Sequence, residues 1–347
     1  MRIGIVNDMP MAIEGMRRVL LSCGEHEVAW IARDGREAVE QCANDCPELI
    51  LMDLIMPVMD GVEATRRIMQ TTPCPILVVT ASVNHNSAMV FEAMGAGALD
   101  AVNTPMLGMG GEGEGRDLLL RKIRMIGVLN RTSSQAAATP QARKPAESAD
   151  PSTRGGLLTI GSSSGGPQAL AEILCRLPAD FPVPVVLVQH VDEQFVAGLA
   201  DWLDRQSALK VRLAREGDRP QVGTVLLAGS NNHLILRDDG RLAYTPEPRQ
   251  TPYRPSVDVF WHSLVSGWQG DIVAVLLTGM GRDGAQGMLE LRNKGACTIA
   301  QDEGSSAVYG MPKAAKELHA ALEILPLETI PVLVMSKFPV PIRREAQ

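Results

Sequence analysis

Three residues with the chemistry for nucleophilic acyl transfer stand just after apolar, strand-like runs in the second half of the chain. Ser163 lies in Gly-Ser-Ser-Ser-Gly at residues 161–165, which fits the G-x-S-x-G pattern of a sharp turn that exposes a serine hydroxyl. A serine nucleophile needs a base, and His190 ends another such run. Asp283 lies in a glycine-rich loop after a third run. We therefore interpret Ser163 as nucleophile, His190 as base and Asp283 as the group that orients the imidazole.

The same residue types also have simpler interpretations. Glycine- and serine-rich loops often form phosphate cradles or tight turns, and for Ser163 alone the two interpretations have equal weight. A lone histidine is more often a packing or surface residue, so His190 gains weight only from its position at a strand end. His233, in the polar turn Ser-Asn-Asn-His, is the alternative base, and Asp192 is the alternative orienting acid.

The glycine loop around Asp283 also matches a dinucleotide-binding pattern. Residues 279–284 fit G-x-G-x-x-G after a strand, and Asp302 follows about 20 residues later. Against this interpretation, Asp283 would put a carboxylate beside a pyrophosphate, and the motif does not open its domain. A second match, at residues 108–113, lies in an acidic, glycine-rich segment that we interpret as a turn.

Oxygen-bearing side chains also end strand-like runs in the first part of the chain. Asp8 and Asp53 follow the first and third runs, and Thr80 ends the fourth. In a flavodoxin-like strand order the first and third strands are neighbours, so their carboxylates converge. Two carboxylates beside one crevice suit Mg²⁺, which prefers hard oxygen ligands. A single aspartate more often caps the next helix, which is the role that we predict for Asp60.

Alternating strands and helices must position these residues. Five strand-like runs separated by helical stretches predict a doubly wound parallel α/β sheet in the first domain, with ligands at the carboxyl ends of its strands. The predicted strands are residues 2–6, 27–32, 49–52, 76–80 and 98–102. The predicted helices are residues 11–22, 36–43, 61–70, 88–94 and 116–129.

A linker divides the chain into two domains. Residues 131–154 consist mostly of alanine, serine, threonine, proline and glutamine and have no large apolar side chain, so they cannot build a core. The predicted domains are therefore residues 1–130 and 155–347. The second domain is also predicted to be a doubly wound parallel sheet, a Rossmann-like three-layer α/β fold. Its predicted strands are residues 157–160, 185–188 and 272–277, with a helix at 168–177.

The composition excludes several classes of protein. Of the 347 residues, 45% are hydrophobic and 21% are charged, which predicts folded cores rather than disorder. Aromatic residues are only 3% and the net charge is −7, so neither base stacking nor global charge favours nucleic acid binding. No apolar run approaches the ~20 residues that span a bilayer.

The six cysteines form no CxxC pair, which argues against structural zinc. Because we find no secretion signal, we expect free thiols in a reducing cytoplasm.

The segment around Asp53 carries a family resemblance. Leu-Met-Asp-Leu-Ile-Met-Pro-Val-Met-Asp-Gly at residues 51–61 closely resembles the phosphoacceptor segment of two-component receiver domains, and the resemblance extends over nearly the whole first domain. It implies that Asp53 is phosphorylated. It also implies that Asp8, Asp53 and the Ile55 carbonyl hold Mg²⁺, and that the Thr80 hydroxyl follows the phosphoryl group.

Two positions depart from the receiver pattern. Asn7 stands where the first acidic residue is usual, and Thr104 stands where a lysine usually precedes the proline after the fifth strand. We expect Asn7 still to hold a metal-bound water. Thr104 supplies no cation for the phosphoryl oxygens, so we expect weaker coupling between phosphorylation and conformation.

Several motifs of the second domain agree on one further resemblance. The chain order serine, histidine, aspartate is not that of an α/β-hydrolase, so a different fold is expected. The domain, and the order receiver, linker, esterase, are similar to the chemotaxis methylesterase family CheB. The departures at Asn7 and Thr104 resemble its Wsp surface-sensing branch most closely. The matching motifs are Ser-Ser-Gly-Gly at 163–166, Gln-His at 189–190, Arg-Pro-Ser-Val-Asp at 254–258, Thr-Gly-Met-Gly-Arg-Asp-Gly at 278–284 and Gly-Met-Pro-Lys at 310–313.

The resemblance implies a reaction and roles for the residues. It implies hydrolysis of glutamate γ-methyl esters to release methanol, and deamidation of glutamine, on the cytoplasmic helices of a methyl-accepting chemoreceptor-like protein. Ser163 would attack the carbonyl, and His190 would move the proton. The backbone N–H groups of Ser164 and Met280 are our candidates for the oxyanion hole. Residues 254–258 are expected to form either part of the receptor-binding face or a structural turn.

The resemblance also implies regulation and partners. A CheA-like histidine kinase would supply the phosphoryl group, and the unphosphorylated receiver would lie over the catalytic sheet edge, tethered by the linker. The expected location is the cytoplasm, with no nucleic acid partner, no membrane insertion and no cofactor for the esterase chemistry. Two alternative functions are kept: a non-catalytic receiver-containing interaction module and a dinucleotide-binding oxidoreductase.

Overall fold

The structure, a computed structural model, describes four stretches of the chain. The predicted linker from residue 133 onward and most of the second G-x-G-x-x-G match lie outside them. The described stretches are residues 1–80, 83–105, 112–132 and 155–339.

The first domain is a five-stranded parallel sheet with helices on both faces. Its strands are β1 (Arg2–Val6), β2 (Glu27–Ala32), β3 (Leu49–Met52), β4 (Ile76–Thr80) and β5 (Asp100–Asn103). Its helices are α1 (Pro10–Leu21), α2 (Gly35–Asn44), α3 (Gly61–Thr71), α4 (Val83–Gly95) and α5 (Glu112–Thr132). The strand order is β2-β1-β3-β4-β5, which confirms that the first and third strands are neighbours.

The second domain is built on a seven-stranded parallel sheet, accompanied by a two-stranded antiparallel hairpin. The strands are β6 (Leu157–Ser162), β7 (Val185–Gln189), β8 (Lys210–Leu213), β9 (Thr224–Leu227), β10 (His233–Leu236), β11 (Leu242–Thr245), β12 (Ile272–Leu276), β13 (Cys297–Gln301) and β14 (Glu323–Leu325). The helices are α6 (Gly166–Leu174), α7 (Glu193–Gln206), α8 (Val257–Gly267), α9 (Ala285–Asn293), α10 (Met311–Glu317) and α11 (Ile330–Lys337), with a 3₁₀ turn at Leu327–Thr329. The large sheet has the order β14-β13-β12-β6-β7-β9-β8, and β10 pairs with β11.

The central strands form because they are continuous apolar runs. Every residue of β3, β4, β7 and β12 is buried, as expected for parallel strands that are covered by helices on both faces. The turns between them contain capping residues. The predicted cap at Asp60 is confirmed, because its carboxylate accepts a hydrogen bond from the Glu63 N–H at 2.8 Å.

Several element boundaries differ from the sequence predictions, among them those of β5, α4 and α5. The fifth strand begins at Asp100 rather than at Ala98, because the Ala98 N–H donates to the Ala93 carbonyl and closes the end of α4. The fourth helix begins five residues earlier than predicted, at Val83. The fifth helix continues to Thr132, two residues into the predicted linker.

The first domain packs directly on the second. The rings of Phe91 and Trp202 lie 6.2 Å apart, and a Cβ atom on Gly95 would lie only 2.9 Å from Trp202 Cζ2. The Leu99 carbonyl accepts a hydrogen bond from the Gly165 N–H at 2.9 Å. The carboxyl edge of the seven-stranded sheet is therefore partly covered by α4 and the loop that follows it.

Candidate active site

The pairing of β6 with β7 brings Ser163 and His190 together. Ser162 is paired with Gln189 in the sheet, so the next residue of each strand emerges at the same edge. The His190 N–H donates to the Ser162 carbonyl at 3.0 Å, and the Gln189 side chain donates to the Ser163 carbonyl at 2.8 Å. Neighbouring strands lie about 4.8 Å apart, so the two side chains start within reach of each other.

The loop after β12 closes onto Ser163 from the other side. Strand β12 is the other neighbour of β6, and the Ser163 N–H donates to the Thr278 carbonyl at 3.0 Å. A Cβ atom on Gly279 would lie 2.7 Å from the Ser163 Cβ. Glycine is therefore required there, because any side chain would push the loop off the serine. The same loop delivers Asp283 to this edge.

His190 and Asp283 form a buried hydrogen-bonded pair. The His190 Nε2 atom lies 2.7 Å from Asp283 Oδ2, and the two side chains are 9% and 4% exposed. An ionised carboxylate only accepts hydrogen bonds, so Nε2 carries the proton and Nδ1 carries the lone pair. Within the described part of the chain, Nδ1 is buried and has no hydrogen-bond partner. It is therefore available to accept a proton.

Asp283 is held in its ionised form by several donors. The Ser256 hydroxyl donates to Oδ1 at 2.7 Å, and the Val257 N–H donates to Oδ2 at 2.6 Å. Burial alone would raise the pKa of Asp283, but the hydrogen bonds from His190 and Ser256 hold that pKa below its ordinary value. The carboxylate is therefore charged at neutral pH and stabilises a positive imidazole.

Sequence reasoning did not assign the residues that hold Asp283 and His190. Ser256 and Val257 lie in the segment 254–258, and the structure uses them to hold Asp283. The ring of Tyr253 stacks on His190 with centroids 4.6 Å apart and planes within 5°. The Arg-Pro-Ser-Val-Asp motif was a signal that the segment matters, but no spacing rule connects it to an acid 27 residues away.

A second carboxyl group lies beside the orienting acid. Burial, and then the negative charge of Asp283, raise the pKa of Asp258 to about 7. The Gly287 N–H donates to its Oδ1 at 2.7 Å. Asp258 is therefore partly protonated at neutral pH and contributes less than a full second negative charge next to Asp283.

The alternative base and orienting acid have local structural roles. His233 is fully buried, its Nδ1 accepts from the Ser256 N–H at 3.1 Å, and its Nε2 lies 3.3 Å from the Pro248 carbonyl. Asp192 caps α7 by accepting from the Gln194 N–H at 3.0 Å. Both ring nitrogens of His233 are engaged, and the Asp192 carboxylate is used by the helix, so neither alternative is favoured.

The two backbone N–H groups proposed for the oxyanion hole are not used by other protein groups that the structure describes. Among the hydrogen bonds of the described residues, neither the Ser164 N–H nor the Met280 N–H has a protein acceptor. Gly165, next to Ser164, adopts the left-handed conformation with φ +75° and is the N-cap residue of α6. The N-terminus of this helix points its partial positive charge toward Ser163.

At the carboxyl edge of the five-stranded sheet, the side chain of Asn7 makes two hydrogen bonds to protein. Its Nδ2 donates to Asp53 Oδ2 at 2.9 Å, and its Oδ1 accepts from the Met9 N–H at 2.8 Å. Asn7 is only 2% exposed. Each end of the amide is bound to protein, and the second lone pair of Oδ1 stays open, so the expectation that Asn7 holds a metal-bound water stays a prediction. An acid at this position has no N–H to donate to Asp53.

Asp53 is a half-buried carboxylate without a nearby cation. Burial, with a smaller contribution from the charge of Asp8, raises the pKa of Asp53 to about 6. Within the described residues, no lysine or arginine forms an ion pair with Asp8 or Asp53. Thr80 is buried at the end of β4, and its carbonyl accepts from the Thr104 N–H at 2.9 Å. Adjacent carboxylates without a countercharge fit a divalent cation with oxygen ligands.

Taken together, the two domains define a receiver joined to a hydrolase with a serine, histidine and aspartate at one sheet edge. The chain belongs to the CheB methylesterase family. The family model described as CheB methylesterase matches residues 158–334, and the one described as response regulator receiver domain matches residues 3–107. The dinucleotide-binding interpretation of the 279–284 loop is not favoured.

Named relatives and a solved structure agree with this family. A protein-glutamate methylesterase/protein-glutamine glutaminase of Mesorhizobium japonicum is 57% identical over 332 residues, covering 95% of this chain and 96% of its own. Protein-glutamate methylesterase/protein-glutamine glutaminase 3 of Pseudomonas aeruginosa is 55% identical over 335 residues, covering 95% and 97%. The crystal structure of the Thermotoga maritima CheB methylesterase catalytic domain matches with a TM-score of 0.51 and 35% identity, over 53% of this chain and 98% of that one.

The helices were also compared with the length and apolarity that a bilayer requires. Over the residues that the structure describes, none of them is both long enough and apolar enough to cross a membrane.

Proposed function

We propose that this chain is a phosphorylation-regulated protein-glutamate methylesterase that also deamidates glutamine side chains. The substrates in this proposal are γ-methyl esters on the cytoplasmic helices of methyl-accepting chemoreceptor-like proteins. One observation carries the proposal: the unpartnered, buried Nδ1 of His190 lies at the edge where Ser163 emerges, while Nε2 is bound to Asp283. That arrangement is a base prepared to take a proton from a serine.

The first half of the reaction forms an acyl-enzyme. The Ser163 oxygen attacks the ester carbonyl carbon while its proton passes to His190 Nδ1. The resulting imidazolium donates through Nε2 to Asp283, whose negative charge stabilises it. When the tetrahedral intermediate collapses, the bond to the methoxy oxygen breaks, and Nδ1 returns the proton to give methanol.

The second half releases the product. Water attacks the acyl carbon and gives its proton to His190 Nδ1, and the Ser163 oxygen leaves with that proton. The product is a glutamate carboxylate. A glutamine substrate follows the same two steps, except that ammonia leaves instead of methanol.

The backbone supplies the groups that stabilise the tetrahedral intermediate. We assign the Ser164 N–H and the Met280 N–H to the oxyanion, because both lack a protein acceptor and flank Ser163. Each lost donor of this kind typically costs ~10²–10³-fold in rate. The N-terminal end of α6 adds to the positive potential.

The receiver is proposed to be phosphorylated at Asp53 by a CheA-like histidine kinase. Asp8, Asp53 and the Ile55 carbonyl would hold Mg²⁺, which neutralises charge on phosphoryl oxygens when it is bound. The Thr80 hydroxyl is proposed to contact the phosphoryl group. Thr104 supplies no ammonium group there, so the phosphorylated state gains less stabilisation than in a receiver that has lysine at this position.

Before phosphorylation, the receiver is proposed to act as a cover. It reaches the catalytic edge at Gly165, which lies two residues beyond Ser163. The Gly165 N–H donates a hydrogen bond to the Leu99 carbonyl of the receiver. A receptor helix that approaches Ser163 would have to share that space. Phosphorylation at the carboxyl edge of the receiver sheet would release the cover by favouring a state with a weaker interface.

The activity is tested by measuring methanol release from membranes that carry methylated chemoreceptors. The purified full chain should release methanol without any added nucleotide cofactor. A non-catalytic interaction module would bind the membranes and release none. An oxidoreductase would require a dinucleotide, so activity that appears only with one would contradict the proposal.

A further inference from the structure

Three of the six cysteines meet at the amino end of the receiver sheet, opposite the phosphorylation edge. Cys42 lies in the last turn of α2, Cys46 lies just beyond that helix, and Cys74 lies two residues before β4. Their three Sγ atoms all lie within 4.8 Å of one another. Cys42 and Cys74 are 1% and 2% exposed, whereas Cys46 is exposed. This thiol cluster therefore has a buried floor and one side that is open to solvent.

Neither packing nor hydrogen bonding explains three converging thiols. The Cys74 Sγ lies 3.2 Å from the Pro47 carbonyl, the Cys46 Sγ lies 3.7 Å from the same oxygen, and all three thiols are free rather than disulfide-bonded. A thiol is a weak donor, so these contacts contribute little. A small apolar residue would fill the buried positions equally well, and the exposed Cys46 has no packing role.

We propose that Cys42, Cys46 and Cys74 bind one thiophilic d¹⁰ metal ion, with Cu(I) as the ion that fits the site. Soft thiolates select such ions. A metal–sulfur bond of about 2.3 Å puts three trigonal sulfurs about 4 Å apart, and the three Sγ atoms already lie within 4.8 Å of one another. Within the described residues, no histidine or carboxylate joins the cluster as a fourth ligand, and Zn(II) structural sites use four.

The binding step is balanced without a redox partner. Three S–Cu bonds form, three S–H protons go to solvent, and copper enters and remains as Cu(I). The site is separate from the Mg²⁺ site proposed at Asp8 and Asp53, because it lies at the other end of the strands and has sulfur rather than oxygen ligands. Metal binding here is independent of the esterase proposal and is tested without an activity assay.

The test is an anaerobic titration of the reduced full chain with Cu(I), delivered from a colorimetric Cu(I) chelator. The expected result is uptake of one Cu(I) per chain, with a change in Trp30 fluorescence. Trp30 is the only tryptophan in residues 1–130, and its Nε1 donates at 2.8 Å to the Asp45 carbonyl, next to Cys46. A parallel titration with Zn(II) tests the argument that three ligands favour Cu(I) over Zn(II).

Two variants and one control decide the assignment. Cys46→Ser changes an exposed side chain and should weaken Cu(I) binding at least ~100-fold, since even outer-shell partners are worth ~10–100-fold. Cys74→Ala should weaken it similarly, and Cys175→Ser, an exposed cysteine of the other domain, should not. Binding that is unchanged in Cys46→Ser would overturn the proposal. So would Zn(II) uptake at these thiols without Cu(I) uptake.

Discussion

The Leu99 carbonyl of the receiver accepts a hydrogen bond at 2.9 Å from the N–H of Gly165, which lies two residues beyond Ser163. The contact joins the loop after α4 to the first residues of α6. It means that the receiver touches the turn that presents Ser163, rather than a distant surface of the catalytic domain. A change that loosens this interface should therefore alter the esterase without altering its own residues.

Gly95→Leu should raise the basal rate of methanol release. A Cβ at position 95 already lies 2.9 Å from Trp202 Cζ2, so a leucine forces the domains apart. Overpacking costs about 1–3 kcal/mol, and about 1.4 kcal/mol changes the ratio of open to closed forms tenfold. Glu92→Ala, an exposed position on the same helix, serves as the control and should leave the rate unchanged. A slower Gly95→Leu enzyme would argue that the receiver activates rather than covers the site.

Asp53→Asn should stabilise the receiver at neutral pH but not in acid. The pKa of Asp53 is raised to about 6 in the folded chain, against about 3.9 when unfolded, so the folded state binds a proton more tightly. Above about pH 6 the ionised carboxylate destabilises the fold, and below about pH 4 the penalty is absent. Allowing for solvent screening, we expect a gain of about 1–2 kcal/mol at about pH 7.5.

Calorimetry of the receiver transition in the absence of divalent metal checks this expectation. Asp60→Asn is the matched control, since asparagine caps a helix as well as aspartate does. Equal stabilisation by Asp53→Asn at about pH 4 and about pH 7.5 would show that the charge of Asp53 is not the cause.

Thr104→Lys should increase the activation that phosphorylation produces. An ammonium paired with the phosphoryl oxygens is a charge-assisted contact worth ~1.5–3 kcal/mol, whereas threonine offers at most one neutral hydrogen bond. A ligand shifts an equilibrium only by its preference for one state, so the added contact should enlarge the shift. The ratio of methanol release with and without an acyl-phosphate donor measures it. The same ratio in both proteins, with Asp53 fully phosphorylated in each, would show that Thr104 does not limit the switch.

Asp283→Asn should lower kcat by ~10²–10⁴-fold, the range typical of general-base catalysis. An amide cannot accept from all of the donors that now converge on the carboxylate, and it carries no charge to stabilise the imidazolium. Asp192→Asn is the control, because asparagine preserves the helix cap that Asp192 forms. An Asp283→Asn enzyme with the wild-type kcat would remove Asp283 from the mechanism.

The effect of Asp283→Asn on the free energy of unfolding should depend on pH. The folded pKa of Asp283 is depressed, so its contribution to the unfolding free energy is present above the unfolded value of about 4. That contribution is lost as the pH falls through the folded pKa. The stability difference between wild type and Asp283→Asn should therefore shrink in acid, which urea unfolding at several pH values measures.

The features that could be predicted from the sequence are those that depend on a local residue pattern. Four of the five receiver strands were predicted with their observed bounds, because each is an apolar run that ends at a polar residue or turn. Ser163, His190 and Asp283 were selected as candidates because each follows such a run. The early start of α4 was missed because its first turn, Val-Asn-His-Asn, is polar and resembles a loop.

Contacts between distant segments were not predictable in the same way. The bond from Ser256 to Asp283 and the stacking of Tyr253 on His190 depend on how α8 and its preceding loop pack against the sheet. Asn7 was read as a departure from a pattern, and only its burial next to Asp53 shows that its amide is a hydrogen-bond donor. The thiol cluster was not predicted because it contains no CxxC pair. Cys74 is far in sequence from Cys42 and Cys46, and only the fold brings the three together.

Methanol release by Ser163→Ala is the most direct test of the assignment of nucleophile and base. The substitution removes one hydroxyl from a site that is otherwise held by backbone contacts, so folding should be preserved and activity should fall to the level of the blank. His190→Ala should cost a similar factor because a triad acts as a unit. Ser266→Ala, an exposed serine on α8, is the control and should release methanol at the wild-type rate. A folded Ser163→Ala chain that releases methanol at the wild-type rate would contradict the account, because the nucleophile would then be another residue.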